Sequence, residues 1–169
     1  MIDSIAIKTK RLHLRPIGID DANEVFKYRS DSDTNKYQGW IPKTIADVKE
    51  FIGKISPTIN IKGTWFQFVV LLNESNNVIG DFGIHFSDTD NNQVEIGFTL
   101  DKSFQGKGYA NEALKQVIDL IFNDLKKNNI IASIDPRNLK SINLVEKAGF
   151  KKDTLSENYL LINEELSNG

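Results

Sequence analysis

The chain has 169 residues, 40% hydrophobic and 26% charged, which fits one domain with a buried core and excludes a disordered tail. Its net charge of −2 lacks the basic excess of a duplex nucleic-acid binder. The absence of cysteine excludes a disulfide framework, a thiolate metal site and a cysteine nucleophile, and two histidines far apart in sequence disfavour a zinc site. Met1-Ile2-Asp3-Ser4 carries no positive segment ahead of an apolar run, and no stretch nears the ~20 apolar residues of a bilayer span. A soluble, cytoplasmic protein in a single domain, residues 1–169, is the expectation.

Leu12, Leu14 and Ile17 alternate with polar residues and predict a first short strand. Ile19-Asp20-Asp21 offers a cap ahead of Ala22, Val25 and Phe26, which stand at helical spacing. Thr44 and Asp47 form the pattern of a capping box, followed by Val48, Phe51, Ile52 and Ile55 on one helical face. The period then changes. Trp65–Leu72, Val78–Phe86 and Gln93–Leu100 read as three strands, separated by turn chemistry at Asn76-Asn77 and Asp88–Asn92. Together they predict an antiparallel meander.

Gly108–Leu125 places Ala110, Ala113, Leu114, Val117, Ile121 and Leu125 on one helical face. Ile130–Asp135 reads as a short buried strand and Leu139–Ala148 as a helix, with Gly149 placed for a left-handed C-terminal cap. Lys151–Leu155 and Asn158–Asn163 are weaker β segments. The order β-α-α-β-β-β-α-β-α-β-β implies an α+β domain with a mixed sheet flanked by helices.

Gln105-Gly106-Lys107-Gly108-Tyr109-Ala110 lies between a strand and the long helix. Glycines ahead of a helix N-terminus leave backbone amides open to an anion, although an ordinary glycine turn would read the same way. A dinucleotide fingerprint would need Gly or Ala where Asn111 stands, and an acidic residue near Lys126-Lys127-Asn128-Asn129. A nucleotide P-loop would need Ser or Thr after Lys107. Both fail.

Gln105-x-x-Gly108-x-Ala110 instead resembles the Arg/Gln-x-x-Gly-x-Gly/Ala signature of the GNAT superfamily of acyl-CoA-dependent N-acyltransferases. Thr9-Lys10-Arg11-Leu12-His13-Leu14-Arg15-Pro16, Asp20-Asp21-Ala22 and Ser30-Asp31 resemble the branch containing ribosomal-protein N-terminal (alanine) acetyltransferases. Glu95-Ile96-Gly97-Phe98 is similar to that branch's fourth strand. Asp135-Pro136-Arg137-Asn138-Leu139-Lys140-Ser141 and Glu146-Lys147-Ala148-Gly149-Phe150 are similar to its last helix and flanks. The likeness runs over roughly residues 8–153.

The resemblance implies the GNAT fold: a mostly antiparallel mixed sheet, about four flanking helices, and fourth and fifth strands splayed apart. It implies acetyl-CoA as co-substrate, with pyrophosphate on the amides of Gln105, Gly106, Lys107, Gly108, Tyr109 and Ala110. Backbone groups of Phe98 and Leu100 would pair with the pantetheine, and Phe98 N–H would face the thioester oxygen. Asn138, with Ser141 beside it, would flank the pantetheine, and either residue also suits a helix cap. Glu95 matches the carboxylate assigned as base in the family, and a solvated strand residue is its plain alternative.

A family tyrosine that protonates the leaving thiolate corresponds to Val145 here. Ser141 is the candidate acid in its place, ahead of Tyr109, Tyr37 and His85. Tyr28, Tyr37, Trp40 and Phe86 are candidate walls for the acceptor, and Asp31 and Asp33 candidate attractors for a cationic amine. The branch's Gly-x-Trp turn before its last strand is absent, and Ser156-Glu157-Asn158-Tyr159-Leu160 stands there. No metal is implied. Family members often dimerise, and nothing in the sequence fixes an interface. A protein or peptide N-terminus competes with a small amine as acceptor, and a non-catalytic acyl-CoA-binding or sensory domain is the alternative to an enzyme.

Overall fold

The computed structural model describes residues 5–164; Met1–Ser4 and the chain end at Gly169, both read above from sequence, lie outside the described residues. Within this span one sheet contains β1 (Ile7–Lys8), β2 (Leu12–Pro16), β3 (Trp65–Leu72), β4 (Val78–Phe86), β5 (Gln93–Leu100), β6 (Asn129–Ala132), β7 (Lys151–Lys152) and β8 (Tyr159–Ile162). The helices are α1 (Ala22–Arg29), α2 (Ile45–Lys54), α3 (Tyr109–Asp119) and α4 (Leu139–Lys147). Spatial order is β1-β2-β3-β4-β5-β6-β8-β7, and every neighbouring pair is antiparallel except β5–β6.

Alternation along the strands sorts residues onto two faces. Phe66, Phe68, Val70, Phe82, Ile84, Phe86, Val94 and Ile96 join Leu114 and Val117 from α3, Ile121 just beyond it and Val145 from α4 in the larger core. Val69 and Leu71 meet Ala22, Val25, Val48 and Ile52 from α1 and α2 on the other face. Because β3 is covered on both sides, its sequence reads as a nearly continuous apolar run.

The three meander strands keep the bounds expected from sequence. The Thr44 capping box forms, with Asp47 N–H donating to Thr44 Oγ1 at 3.2 Å and Thr44 N–H donating to the Asp47 carboxylate at 3.0 Å. Gly149 takes the left-handed conformation, φ 103°. Five differences arise, the last of them in β6. Ile7–Lys8 adds an amino-terminal strand, too short to show a period. Asp21 does not cap α1 through its side chain; its carboxylate instead accepts from Gly18 N–H at 2.8 Å and from both Arg15 Nη atoms at 2.8 and 2.9 Å. The α-helix after Gly108 ends at Asp119 and continues through Leu120–Asp124 in wider π turns. β7 holds only Lys151 and Lys152, since Asp153 N–H turns back to Asn158 C=O at 2.7 Å.

β6 ends at Ala132 rather than Asp135. Its parallel register runs from Gln93↔Asn129 to Ile96↔Ala132, after which Gly97–Leu100 of β5 remain paired only to β4. The two strands part at that point, which is the expected splay.

A charged knot ties α1 to the sheet. Asp81 on β4 is buried and accepts from Arg29 Nη2 at 2.6 Å, Arg29 Nε at 3.0 Å, Gln67 Nε2 at 2.7 Å and the Tyr28 hydroxyl. Burial first, then the Asp81 charge, push the Tyr28 phenol well above its ordinary range, so it stays a donor. A Cβ at Gly83 would lie 2.5 Å from Gln67 Oε1, so glycine there makes room for the amide. Removing one partner strands the others without water, so Asp81→Ala should lower stability by about 3 kcal/mol. Glu50→Ala, which breaks the exposed Lys54 pair, should leave the urea midpoint unchanged. Equal midpoints for the two variants would contradict the assigned weight of the knot.

Candidate active site

The segment between β5 and α3 turns through two left-handed glycines, Gly106 with φ 76° and Gly108 with φ 84°. Gly108 occupies the cap position of α3, whose first-turn N–H groups have no helical partner. Among the described residues, no main-chain or side-chain acceptor takes the N–H groups of Gly106, Lys107 or Gly108. The loop is therefore a cluster of donors at the positive end of a helix dipole. Gln105 closes it from the side, with Nε2 donating to Leu100 C=O at 3.0 Å.

A staple from the start of β2 holds this loop, and reading for local motifs missed it. Arg11 Nε donates to Glu112 Oε1 at 2.7 Å, Arg11 N–H to Glu112 Oε2 at 2.9 Å, and the Thr9 hydroxyl also to Oε2. Arg11 Nη1 reaches Lys107 C=O at 3.0 Å, and its guanidinium lies 4.3 Å from the Tyr109 ring centroid. Partial burial works to raise the Glu112 carboxyl, but the bonds from Thr9 and Arg11 outweigh it and hold it below the ordinary carboxylate range. The signal lay in Thr9-Lys10-Arg11, a hundred residues away from its partner.

Between the sheet and the first turn of α3, a small cavity of about 10 Å³ is lined by Val70, Phe82, Phe98, Leu100, Tyr109 and Ala113. Thr99 Oγ1, on the opposite face of β5 in register with Asp81, is buried without a hydrogen-bond partner. A free strand edge beside a donor-rich loop fits a long thin ligand that ends in phosphates. Leu100 C=O is already engaged by Gln105, so of the two β5 residues assigned to the pantetheine, Phe98 has the less committed backbone.

Across the gap, Asn138 caps α4 by accepting from Ser141 N–H at 3.3 Å. The capping role is thus realised, and the Asn138 amide nitrogen and the Ser141 hydroxyl remain for other partners. Val145 is 0% exposed within the core and has no proton to offer.

Glu95 lies half-buried on the face opposite Val94 and Ile96, in register with His85 on β4 and Ile131 on β6. The His85 ring sits 5.1 Å from the Trp65 ring. The next residue on that face of β5 is Gly97, where a Cβ would meet nothing within 4 Å. Glu95 thus borders open space at the point where the strands part.

The expected acceptor walls divide. Phe86 is 2% exposed in the larger core, on the sheet face away from Glu95, and cannot line an acceptor site beside it. Alternation along β4 decides this, since Phe86 shares a face with Phe82 and Ile84. Tyr28 is likewise excluded, buried with its hydroxyl on Asp81. Trp40 packs on Phe51 at 5.0 Å with Arg29 over it at 5.5 Å, so its ring serves the α1–α2 interface. Tyr37 lies 4.9 Å beneath the Arg137 guanidinium, joining the loop after α1 to the loop before α4. Arg137 is gripped by Asp135 at 2.7 and 3.0 Å, which brings that carboxyl down to about 2. Asp31 is turned inward on Thr34, and Asp33 is exposed.

The staple has a pH signature. A carboxyl depressed in the folded state stabilises fully above its unfolded value of about 4.3 and loses that contribution as pH falls through the folded value. Glu112→Gln should therefore lower the urea midpoint at pH 7, and its difference from the parent chain should shrink progressively as pH falls below about 4.3. A constant difference across that range would contradict the ionic staple.

Residues 11–151 match the family model described as an acetyltransferase (GNAT) domain. An uncharacterized N-acetyltransferase, p20, of Bacillus licheniformis is 34% identical over 152 residues, covering 89% of this chain and 85% of that protein. The uncharacterized N-acetyltransferase YnaD of Bacillus subtilis is 31% identical over 150 residues, covering 87% and 83%. Among solved structures, a GNAT-family acetyltransferase from Bacillus anthracis superposes with a TM-score of 0.81 at 27% identity, covering 95% of this chain and 99% of that one. An aminoglycoside acetyltransferase solved with coenzyme A shares the fold, with a TM-score of 0.75 at 23% identity over 93% of this chain and 98% of that one. No helix among the described residues is long and apolar enough to cross a membrane. The chain belongs to the GNAT family of N-acetyltransferases, which draw their acetyl group from acetyl-CoA.

Proposed function

We propose that this chain moves an acetyl group directly from the acetyl-CoA thioester to a primary amine within a ternary complex. The observation that carries the reading is the parting of β5 from β6 just after Ile96, with the donor loop at its mouth and Glu95 at its base. The amides of Gly106–Ala110 hold the pyrophosphate, Gln105 N–H being turned back to Lys102 C=O at 3.3 Å, and the staple from Thr9 and Arg11 fixes that loop before the ligand arrives. The open edge from Gly97 to Leu100 receives the pantetheine, with Phe98 N–H as donor to the thioester oxygen. Asn138 and Ser141 border the arm from the α4 side.

An ammonium has no lone pair to attack with, so the proton must leave first. Glu95 accepts it, directly or through a water. The amine nitrogen then bonds to the acetyl carbon, the carbon–sulfur bond breaks, and the second proton leaves the nitrogen as the thiolate gains one, relayed through the Ser141 hydroxyl or through solvent, so that one proton net is left on Glu95 for release to water. Val145 removes the tyrosine route to that proton. No cysteine exists to carry an acetyl group between the two substrates.

Glu95→Gln keeps shape and removes the base. Turnover with an acceptor, read as free thiol, should fall about 100-fold or more, and acetyl-CoA affinity by calorimetry should stay within the error of the parent. Unchanged turnover would remove Glu95 from the mechanism. Acetyl-CoA binding that is absent in the parent chain would overturn the cofactor assignment itself.

A further inference from the structure

The register carries Glu95 into a row that crosses the sheet on one face. Trp65 on β3 pairs with His85 on β4, His85 with Glu95, Glu95 with Ile131 on β6, Ile131 with Leu160 on β8, and Leu160 with Lys151 on β7. Register partners share a face, so these side chains stand side by side about 5 Å apart. The row is partly open: Trp65 is 37% exposed, and His85, Glu95, Ile131 and Leu160 are half-buried. The apolar contacts that α1 and α2 make with the sheet lie elsewhere, at Val69, Leu71 and Val78.

The charges along this face are sparse. The row above holds Gln67, Gly83 and Gly97, and the row below holds Gln93, Asn129 and Ile162. Neither contains a carboxylate. Asp81, one row further on, is fully committed to Arg29, Gln67 and Tyr28. Glu95 is therefore the one acidic side chain in three successive rows of register partners, between an indole–imidazole pair and two aliphatic residues. The far end of its row is cationic, at Lys151. A flat floor of Gly97 leaves space directly beside the Glu95 carboxylate.

We infer that the acceptor is an amine with a single positive charge on an apolar or aromatic body, rather than a polycation. This rests on the reading of Glu95 as the group that meets the amine. One carboxylate neutralises one ammonium. Each further ammonium would be laid against Trp65, Ile131 or Leu160 without a partner, or brought toward Lys151, and an unpaired charge at an apolar surface is costly. The body of a monoamine, in contrast, covers the Trp65 and His85 rings on one side or the Ile131–Leu160 pair on the other.

The test compares kcat/KM for phenethylamine and for an alanyl-phenylalanine dipeptide amide with that for spermidine and kanamycin, at one pH and ionic strength. The monoamines should lead by at least tenfold. Trp65→Ala should raise the KM for phenethylamine several-fold and leave that for ethylamine unchanged, a split that a folding defect would not produce. Gly97→Ala adds a methyl group that meets no protein atom, so melting should be unaffected while the KM for bulky monoamines rises. Equal or better turnover of spermidine or kanamycin would overturn the inference. So would turnover of none of these amines by a chain that binds acetyl-CoA, an outcome that leaves the cofactor reading standing. Full turnover by Glu95→Gln would remove the base and the inference with it.

Discussion

Parallel strands cannot be joined by a tight turn; the chain must cross over, usually through a helix. In this protein β5 and β6 are the only parallel neighbours in the described sheet, and α3 is their crossover. That connection places the N-terminus of α3 at the carboxyl end of β5. The register between the two strands then stops at Ile96 and Ala132, so the same end of β5 has a free edge. A helix N-terminus and an unpaired strand edge are thus forced together by topology. Both are lists of unsatisfied backbone donors and acceptors, and a ligand with phosphates and an amide-bearing arm answers both.

Two polar anchors keep that arrangement in place from opposite faces of the sheet. Glu112 accepts from Thr9 and Arg11 and holds the first turn of α3 against β2. Asp81 accepts from Arg29, Gln67 and Tyr28 and holds α1 against β4. Their surroundings differ: the Arg11 side chain is 40% exposed and that of Asp81 0%, so solvent weakens the first pair far more than the second. The first anchor adjusts a loop, while the second carries a large part of the attachment of a helix. Between them lies the open row around Glu95, where no anchor fills the space.

Much of the fold was legible in the sequence because period and turn chemistry are local. The meander, the capping box at Thr44 and the left-handed Gly149 each depend on a few neighbouring residues. The glycine loop was legible only through its likeness to a family signature, since two glycines before a helix suit an ordinary turn as well. Phe86 was misread because wall and core aromatics look alike until register assigns a face. Alternation along Val78–Phe86, counted from Phe82 and Ile84, would have placed it in the core. Arg11 and Glu112, or Trp65, His85, Glu95 and Ile131, become neighbours through strand pairing across long sequence separations, which no local pattern encodes. The end of β6 at Ala132 was equally hidden, because Ser133-Ile134-Asp135 continues to look extended after its partner has turned away.

The central claim is that the gap between β5 and β6 is where acetyl-CoA lies. Backbone amide NMR during titration with acetyl-CoA tests it without an acceptor. The account predicts that the largest shifts fall on Gly97–Leu100, on Gly106–Ala110 and at the start of α4, with β1 and β2 little changed. Shifts concentrated instead around Lys8, His13 and Asn73, with the loop before α3 unmoved, would contradict it.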